Sequence, residues 1–180
     1  MYKLEPGDIQ QMVADAARVL TQPRDKEVMQ RLVSFMHVSK PTDWDKRLIA
    51  TMLAKAGKMH EAEMVVHDIE VAWQRAEALY SMSKGLLENG DEEHQAMNLL
   101  NIALIEARAG QNTTSIQDKL DADSVLSDIA GLYAEQGELD KANGVAESIE
   151  NPTRKQRCLE KITSHTPQPE GAAEEAQAQY

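Results

Sequence analysis

The chain is poor in the residues that stabilise sheets and small extracellular folds. Of its 180 residues, one is cysteine and one is phenylalanine, and aromatic residues make up only 4%. A single cysteine excludes a disulfide within the chain, which favours a reducing compartment, so we expect a cytoplasmic protein. Because strands favour aromatic and β-branched side chains, whereas this chain is rich in Ala, Leu, Glu and Met, the composition predicts an all-α fold.

Basic residues and long apolar runs are scarce as well. The chain has 19 Lys and Arg against 30 Asp and Glu, a formal net charge of -11. Such a surface repels phosphate backbones and anionic lipids, so we expect no nucleic-acid partner. The longest uncharged run, residues 94–105, is too short to span a bilayer, and residues 1–10 lack the apolar stretch of a signal peptide. We therefore predict no membrane insertion.

Motifs for catalysis and cofactor binding are missing too. The chain has no glycine-rich phosphate loop and no H-E-x-x-H sequence. His60 and His67 lie two turns apart on one predicted helix, without the further ligands of a metal site in a helical bundle. The basic neighbours of Cys158, among them Arg154 and Arg157, are expected to lower its pKa, but no histidine–carboxylate pair accompanies it. We interpret Cys158 as a small buried residue and predict no enzyme activity, cofactor or metal.

What the chain does contain is a repeated helix–glycine–helix phrase. The segment AGLYAEQGELDKANGVAESIENP, residues 130–152, parallels ATMLAKAGKMHEAEMVVHDIE, residues 50–70. Gly57, Gly90 and Gly137 each follow one helical pattern and precede another, the place of a left-handed helix cap. Small residues recur around these glycines, where two helices cross closely: Ala50, Ser83 and Ala130 seven positions before them, Ala62 and Ala142 five positions after, and Ala96 one position later than that pattern.

The glycines set a period. Gly57 and Gly90 are 33 residues apart, whereas Gly90 and Gly137 are 47 apart, which places an insertion of fourteen residues near 109–123. This polar segment is expected to form a longer loop with extra helical turns, and Trp73 is expected to pack where one unit meets the next. A period near 33 with two helices per unit indicates a helical solenoid, because one hairpin cannot bury its apolar face alone.

These units resemble the tetratricopeptide repeat, which has small residues at fixed positions, one large apolar residue and a central turn. Around Gly137 the matching residues are Ala130, Tyr133 and Ala142. The resemblance covers about Pro41–Pro152 and implies a short right-handed α–α solenoid of about three hairpins, with HEAT-type repeats as a neighbouring alternative.

The remaining segments are expected to flank the three repeats of residues 41–152. Residues 1–40 are predicted to form a capping helical hairpin, and residues 153–165 a capping helix with Arg154, Arg157 and Lys161 turned outward, since terminal repeats need a polar outer face. Residues 166–180 are acidic and rich in Pro, Gly, Ala and Gln, which predicts a disordered tail.

In the family that the repeats resemble, the first helix of each unit lines a concave groove. The corresponding positions here are Trp44, Arg47, Thr51, Lys55, Glu77, Tyr80, Lys84, Glu88, Asp128 and Glu135, with Gly131 and Ala134 leaving room. Trp, Tyr and Arg dominate interface energetics, so we expect an adaptor that binds a peptide or helix of another protein. The alternatives are a chaperone dedicated to one client, similar to those of bacterial secretion systems, and a structural subunit that stacks on other copies or on a larger assembly.

Overall fold

The computed structural model describes residues 4–20, 22–36, 40–90 and 93–164. Within these ranges the regular structure is entirely helical, which confirms the predicted all-α class. The helices are α1 (Pro6–Val19), α2 (Pro23–Met36), α3 (Asp43–Lys55), α4 (Met59–His67), α5 (Ala72–Asn89), α6 (Glu93–Gln111), α7 (Ile116–Glu135), α8 (Leu139–Glu147) and α9 (Pro152–Thr163).

Helix ends follow the capping chemistry in the sequence. At the start of α3, the Thr42 side chain accepts a hydrogen bond from the backbone N–H of Asp45, whose carboxylate accepts one from the N–H of Thr42. This reciprocal box satisfies two donors that a helix start leaves unpaired. Gly57, Gly90 and Gly137 follow α3, α5 and α7 with φ of 72°, 72° and 78°, as predicted, in the left-handed region that side chains disfavour.

Helices pack as sequential hairpins around one core. α1 packs on α2, α3 on α4, α5 on α6, and α7 on α8. The first helices of successive hairpins also touch, since α3 contacts α5, α5 contacts α7, and α7 contacts α9. A single cluster of buried apolar residues draws members from every described helix. Each hairpin therefore buries its apolar face against its neighbours.

The strictest internal repeat spans 80 residues rather than 33. The range of α4 reappears 80 positions later as that of α8, and the ends of α3 and α7 and the starts of α5 and α9 correspond in the same way. The backbone hydrogen bond from Lys58 N to Leu53 O, 2.9 Å, has its counterpart from Glu138 N to Tyr133 O, also 2.9 Å. The middle hairpin departs from this pattern because α5 and α6, with 18 and 19 residues, are longer.

A carboxylate in the first helix of a hairpin holds the start of the following hairpin. The Asp43 carboxylate accepts hydrogen bonds from the N–H groups of residues 70 and 71, at 2.8 and 3.0 Å. Asp123, 80 residues later, accepts from the N–H groups of residues 150 and 151, at 3.1 and 2.8 Å. Asp123 is only 2% exposed and also accepts from Gln111 Nε2 at 2.8 Å. These bonds fix where α5 and α9 begin relative to α3 and α7.

The insertion near 109–123 is mostly helix, and the predicted longer loop is absent there. α6 continues to Gln111 and α7 starts at Ile116, leaving four residues between them. Gly110 does not end α6: it is buried, and a Cβ at that position would lie 3.1 Å from Trp73 Cβ and 3.2 Å from Ala122 Cβ. Glycine therefore permits a close crossing of α6 with α5 and α7, and Trp73 packs at this junction as expected.

Helices also pack against both ends of the three central hairpins. α1 and α2 contact α3, and α9 contacts α7 and α8, so each end of the repeats is covered by helix. The predicted disordered tail, residues 166–180, lies outside the described residues.

The glycine caps can be tested with two alanine substitutions in one hairpin. Gly137→Ala should lower the free energy of unfolding by about 1–2 kcal/mol, because alanine is strained at φ of 78° although nothing lies within 4 Å of its Cβ. Gly144→Ala, on the exposed side of α8, should raise it by about 0.5–1 kcal/mol through helix propensity. Urea unfolding measures both, and equal shifts would contradict this account.

The carboxylate contacts can be tested on α7 alone. Asp123→Ala should lower the unfolding free energy by about 2–4 kcal/mol, since it leaves buried N–H donors unpaired. Asp121→Ala is the control: its carboxylate accepts one bond, from the Gln117 side chain on the same helix, and its loss should cost about 0.5 kcal/mol or less. Similar losses from the two variants in urea titrations would argue against a structural role for Asp123.

Candidate partner-binding face

The exposed aromatic residue of α3 is held in place by an ion pair with α5. The Trp44 side chain is 56% exposed, and the guanidinium carbon of Arg47 lies 4.1 Å from its ring centroid. Arg47 Nη1 donates to Glu77 Oε1 across the helix interface. Because Glu77 pairs with the guanidinium, the cation is positioned to stack on the exposed tryptophan ring. We call the surface formed by the ten predicted groove residues the α3–α5–α7 face.

The centre of this face is crowded with carboxylates. Burial raises the pKa of Glu77, Arg47 only partly opposing it, and the charges of Asp128 and Asp121 raise it further. Burial also raises the pKa of Tyr80 to about 12, with added repulsion from Asp128 and Glu135. The structure therefore places side chains of α5 and α7 close enough to influence one another's ionisation.

Asp128 is the carboxylate whose charge raises the pKa values of both Glu77 and Tyr80. Its carboxylate is open to solvent on one side, yet the protein packed around it raises its pKa. Lys161, Arg154 and Lys84 oppose that rise without cancelling it. No described residue forms a salt bridge with Asp128 within 4.0 Å. Its charge is therefore destabilised in the folded protein.

Both lysines of the α3–α5–α7 face, Lys55 and Lys84, already form ion pairs within the chain. Lys55 Nζ lies 3.6 Å from Asp25 Oδ1 of α2, so the N-terminal hairpin neutralises it. Thr51 Oγ1 donates to the carbonyl oxygen of Arg47, 3.0 Å away on its own helix. Lys84 and Glu88 form an exposed pair at 3.9 Å. The face is therefore less basic at these positions than the sequence indicates.

Two basic residues of α9 that were expected to point outward lie near α7. Arg154 Nη1 donates to Ser124 Oγ on α7, and both Arg154 and Lys161 act on Asp128. The space beside Gly131 is not open, because a Cβ there would lie 3.5 Å from Lys161 Nζ. The 80-residue correspondence is the signal that could have shown this, since it makes α9 the counterpart of α5.

The described residues contain no group of three or more His, Cys, Asp or Glu side chains placed to hold a metal ion. Cys158 is buried, and burial raises its pKa, so the expected lowering by basic neighbours is wrong. It occupies the position of the buried Ala78 in the 80-residue repeat, which explains a small side chain there.

Of the helices in the described ranges, none combines the length and the apolar character needed to cross a bilayer.

No family model matches the chain, and it matches neither a curated protein nor a solved structure.

The crowding at Asp128 predicts a pH-dependent gain from removing its charge. A raised native pKa means that the folded state binds the proton more readily, so ionisation destabilises it as the pH rises. Asp128→Asn should therefore raise the unfolding free energy at pH 7, by about 0.5 kcal/mol because the group is solvent-exposed, and the gain should vanish below about pH 4. Chemical denaturation at several pH values measures it.

The control is Asp140→Asn on the exposed surface of α8, where aspartate lies in the first turn and favours the helix dipole. This variant should lose a little stability at pH 7. A loss from Asp128→Asn of the same size would contradict the crowding argument.

Proposed function

We propose that the chain is a non-enzymatic, cytoplasmic adaptor: a short tetratricopeptide-like helical array that binds a peptide or helix of another protein. The α3–α5–α7 face would be the concave groove of that array. The observation that carries the proposal is Trp44, a large exposed aromatic residue stacked on Arg47, which is itself paired with Glu77. An aromatic residue that is already stacked loses less conformational freedom when it anchors a partner.

The electrostatics of the face support the same proposal. Glu77 and Asp128 have pKa values raised by the protein around them, so their ionised carboxylates are disfavoured by folding, whereas Tyr80, whose pKa rises to about 12, stays neutral at pH 7. Residues that cost stability are typical of functional sites, where binding requires groups that folding alone disfavours. A partner that supplies a cation or hydrogen-bond donors to Asp128 would relieve this cost.

The outer side of α9 favours an adaptor over a subunit that stacks end to end. Its exposed residues include Gln156, Arg157 and Glu160, which are polar. A stacking interface would require a contiguous apolar surface at that end.

The proposal predicts that the partner protein contacts the chain at position 44. A photoreactive phenylalanine analogue would replace Trp44 in one protein and Ile116, a 77% exposed residue at the start of α7, in the control. Irradiation in extract from the source cells should give a discrete crosslinked protein from position 44 only. Crosslinks that are the same from both positions, or none from position 44, would argue against this face.

Affinity for the crosslinked protein then provides a quantitative check. Trp44→Ala should weaken binding by about 30-fold, the effect expected of an interface anchor, whereas Ile116→Ala should change it by about twofold or less. Isothermal titration with the purified partner measures both, and circular dichroism confirms that both variants are equally helical.

A further inference from the structure

A second surface, between α4 and α6, has the shape of a docking cleft. It encloses about 470 Å³ and is lined by Glu63, Val66 and His67 of α4, Arg75 and Leu79 of α5, and Leu99, Ile102 and Glu106 of α6. None of these residues belongs to the α3–α5–α7 face. The cleft is therefore separate from the function proposed above.

The cleft arises from unequal helix lengths. α4 has nine residues and α6 has nineteen, so α6 is longer by about 15 Å at 1.5 Å per residue. Each of these helices follows the turn that ends the preceding helix, so α6 continues where α4 stops. Val66 and His67, in the last turn of α4, thus face the middle of α6, and the shorter neighbour leaves a gap over Leu79.

The floor and one wall of the cleft are apolar. Val66, Leu79 and Leu99 form the floor and belong to the hydrophobic core. Ile102 on the α6 wall is 46% exposed, and Ile105, three residues further on the same helix, is 65% exposed. Exposed isoleucines beside an apolar depression indicate a surface that gains from being covered.

The charged residues at the rim of the cleft favour a basic partner. Arg75 is fully engaged: it donates to Glu106 Oε2 through Nε and Nη2, and to the carbonyl oxygens of Ile69 and Glu70 through Nη1. Glu63, on the α4 side, forms no ion pair with any described residue. The rim thus presents carboxylate charge that Arg75 does not fully neutralise, on a chain whose net charge is -11.

We infer that the α4–α6 cleft docks an amphipathic helical segment of a basic partner protein. Leu or Ile side chains of that segment would enter the cleft over Leu79 and against Ile102. A Lys or Arg side chain beside them would pair with Glu63, the rim carboxylate that Arg75 does not engage. The volume accommodates a few aliphatic side chains, which is the footprint of one face of a short helix.

The test uses two synthetic helical peptides of about 14 residues, four turns, that share one leucine face. One peptide has lysine at the remaining positions and the other has glutamate. Fluorescence anisotropy of labelled peptide at about 0.15 M salt, where long-range attraction is screened, measures affinity for the full chain. The lysine peptide should bind and the glutamate peptide should not.

Matched substitutions locate the binding. Ile102→Gln should weaken binding of the lysine peptide by about tenfold or more, because it removes apolar burial without changing charge. Ile116→Gln, an identical change at an exposed isoleucine outside the cleft, should leave it within about twofold, the scatter expected of surface changes. Glu63→Gln should weaken it by about threefold, and Trp44→Ala should not affect it.

Methyl NMR of the isoleucines supplies an independent readout. Addition of the lysine peptide should shift the methyl signals of Ile102 and Ile105 and leave that of Ile116 in place. Equal affinities for Ile102→Gln and Ile116→Gln, or equal binding of the two peptides, would overturn the inference. Loss of binding in Trp44→Ala alone would place the peptide on the α3–α5–α7 face instead.

Discussion

Hydrogen bonds from the start of one helix to a carboxylate in the preceding hairpin position α5 against α3 and α9 against α7. Asp43 and Asp123 each hold two consecutive backbone N–H groups at the point where the chain leaves a short second helix. Those N–H groups belong to a helix start, which has no partners within its own helix. One side chain thus satisfies backbone donors and sets the position of the next helix, as neither apolar packing nor helix propensity could do alone.

The two surfaces of the molecule both depend on that constraint. On one side it aligns α3 with α5, so that Arg47 reaches Glu77. On the other side it fixes the turn between α4 and α5, where Arg75 binds two carbonyl oxygens and Glu106. Because α4 ends at this turn while α6 continues, the second side carries a cleft, whereas the first is a surface of neighbouring helices.

Local sequence predicted the helices, the three glycine caps and the buried small residues, because each of these depends on a few neighbouring positions. Ala62, Ala96 and Ala142 are all fully buried as expected. It did not predict the role of Gly110, which looks like a helix breaker in sequence but is required by the distance to Trp73. Nor did it predict that Lys55 is neutralised by Asp25 or that α9 supplies cations to Asp128, because such pairings depend on tertiary contacts between segments distant in sequence.

Two aspartates on α7 show how the same side chain serves the fold at one position and its proposed function at another. Asp123 is buried and accepts hydrogen bonds from two backbone N–H groups and from Gln111, so its charge is satisfied by the protein itself. Asp128, five residues later, has cations nearby but no salt bridge within the described residues, and its surroundings raise its pKa. A carboxylate that folding leaves under-compensated beside Tyr80 and Glu77 is one that a bound cation would stabilise. Under the proposed function, a cation of the partner would supply the compensation that folding leaves out at Asp128, whereas Asp123 is already satisfied within the chain.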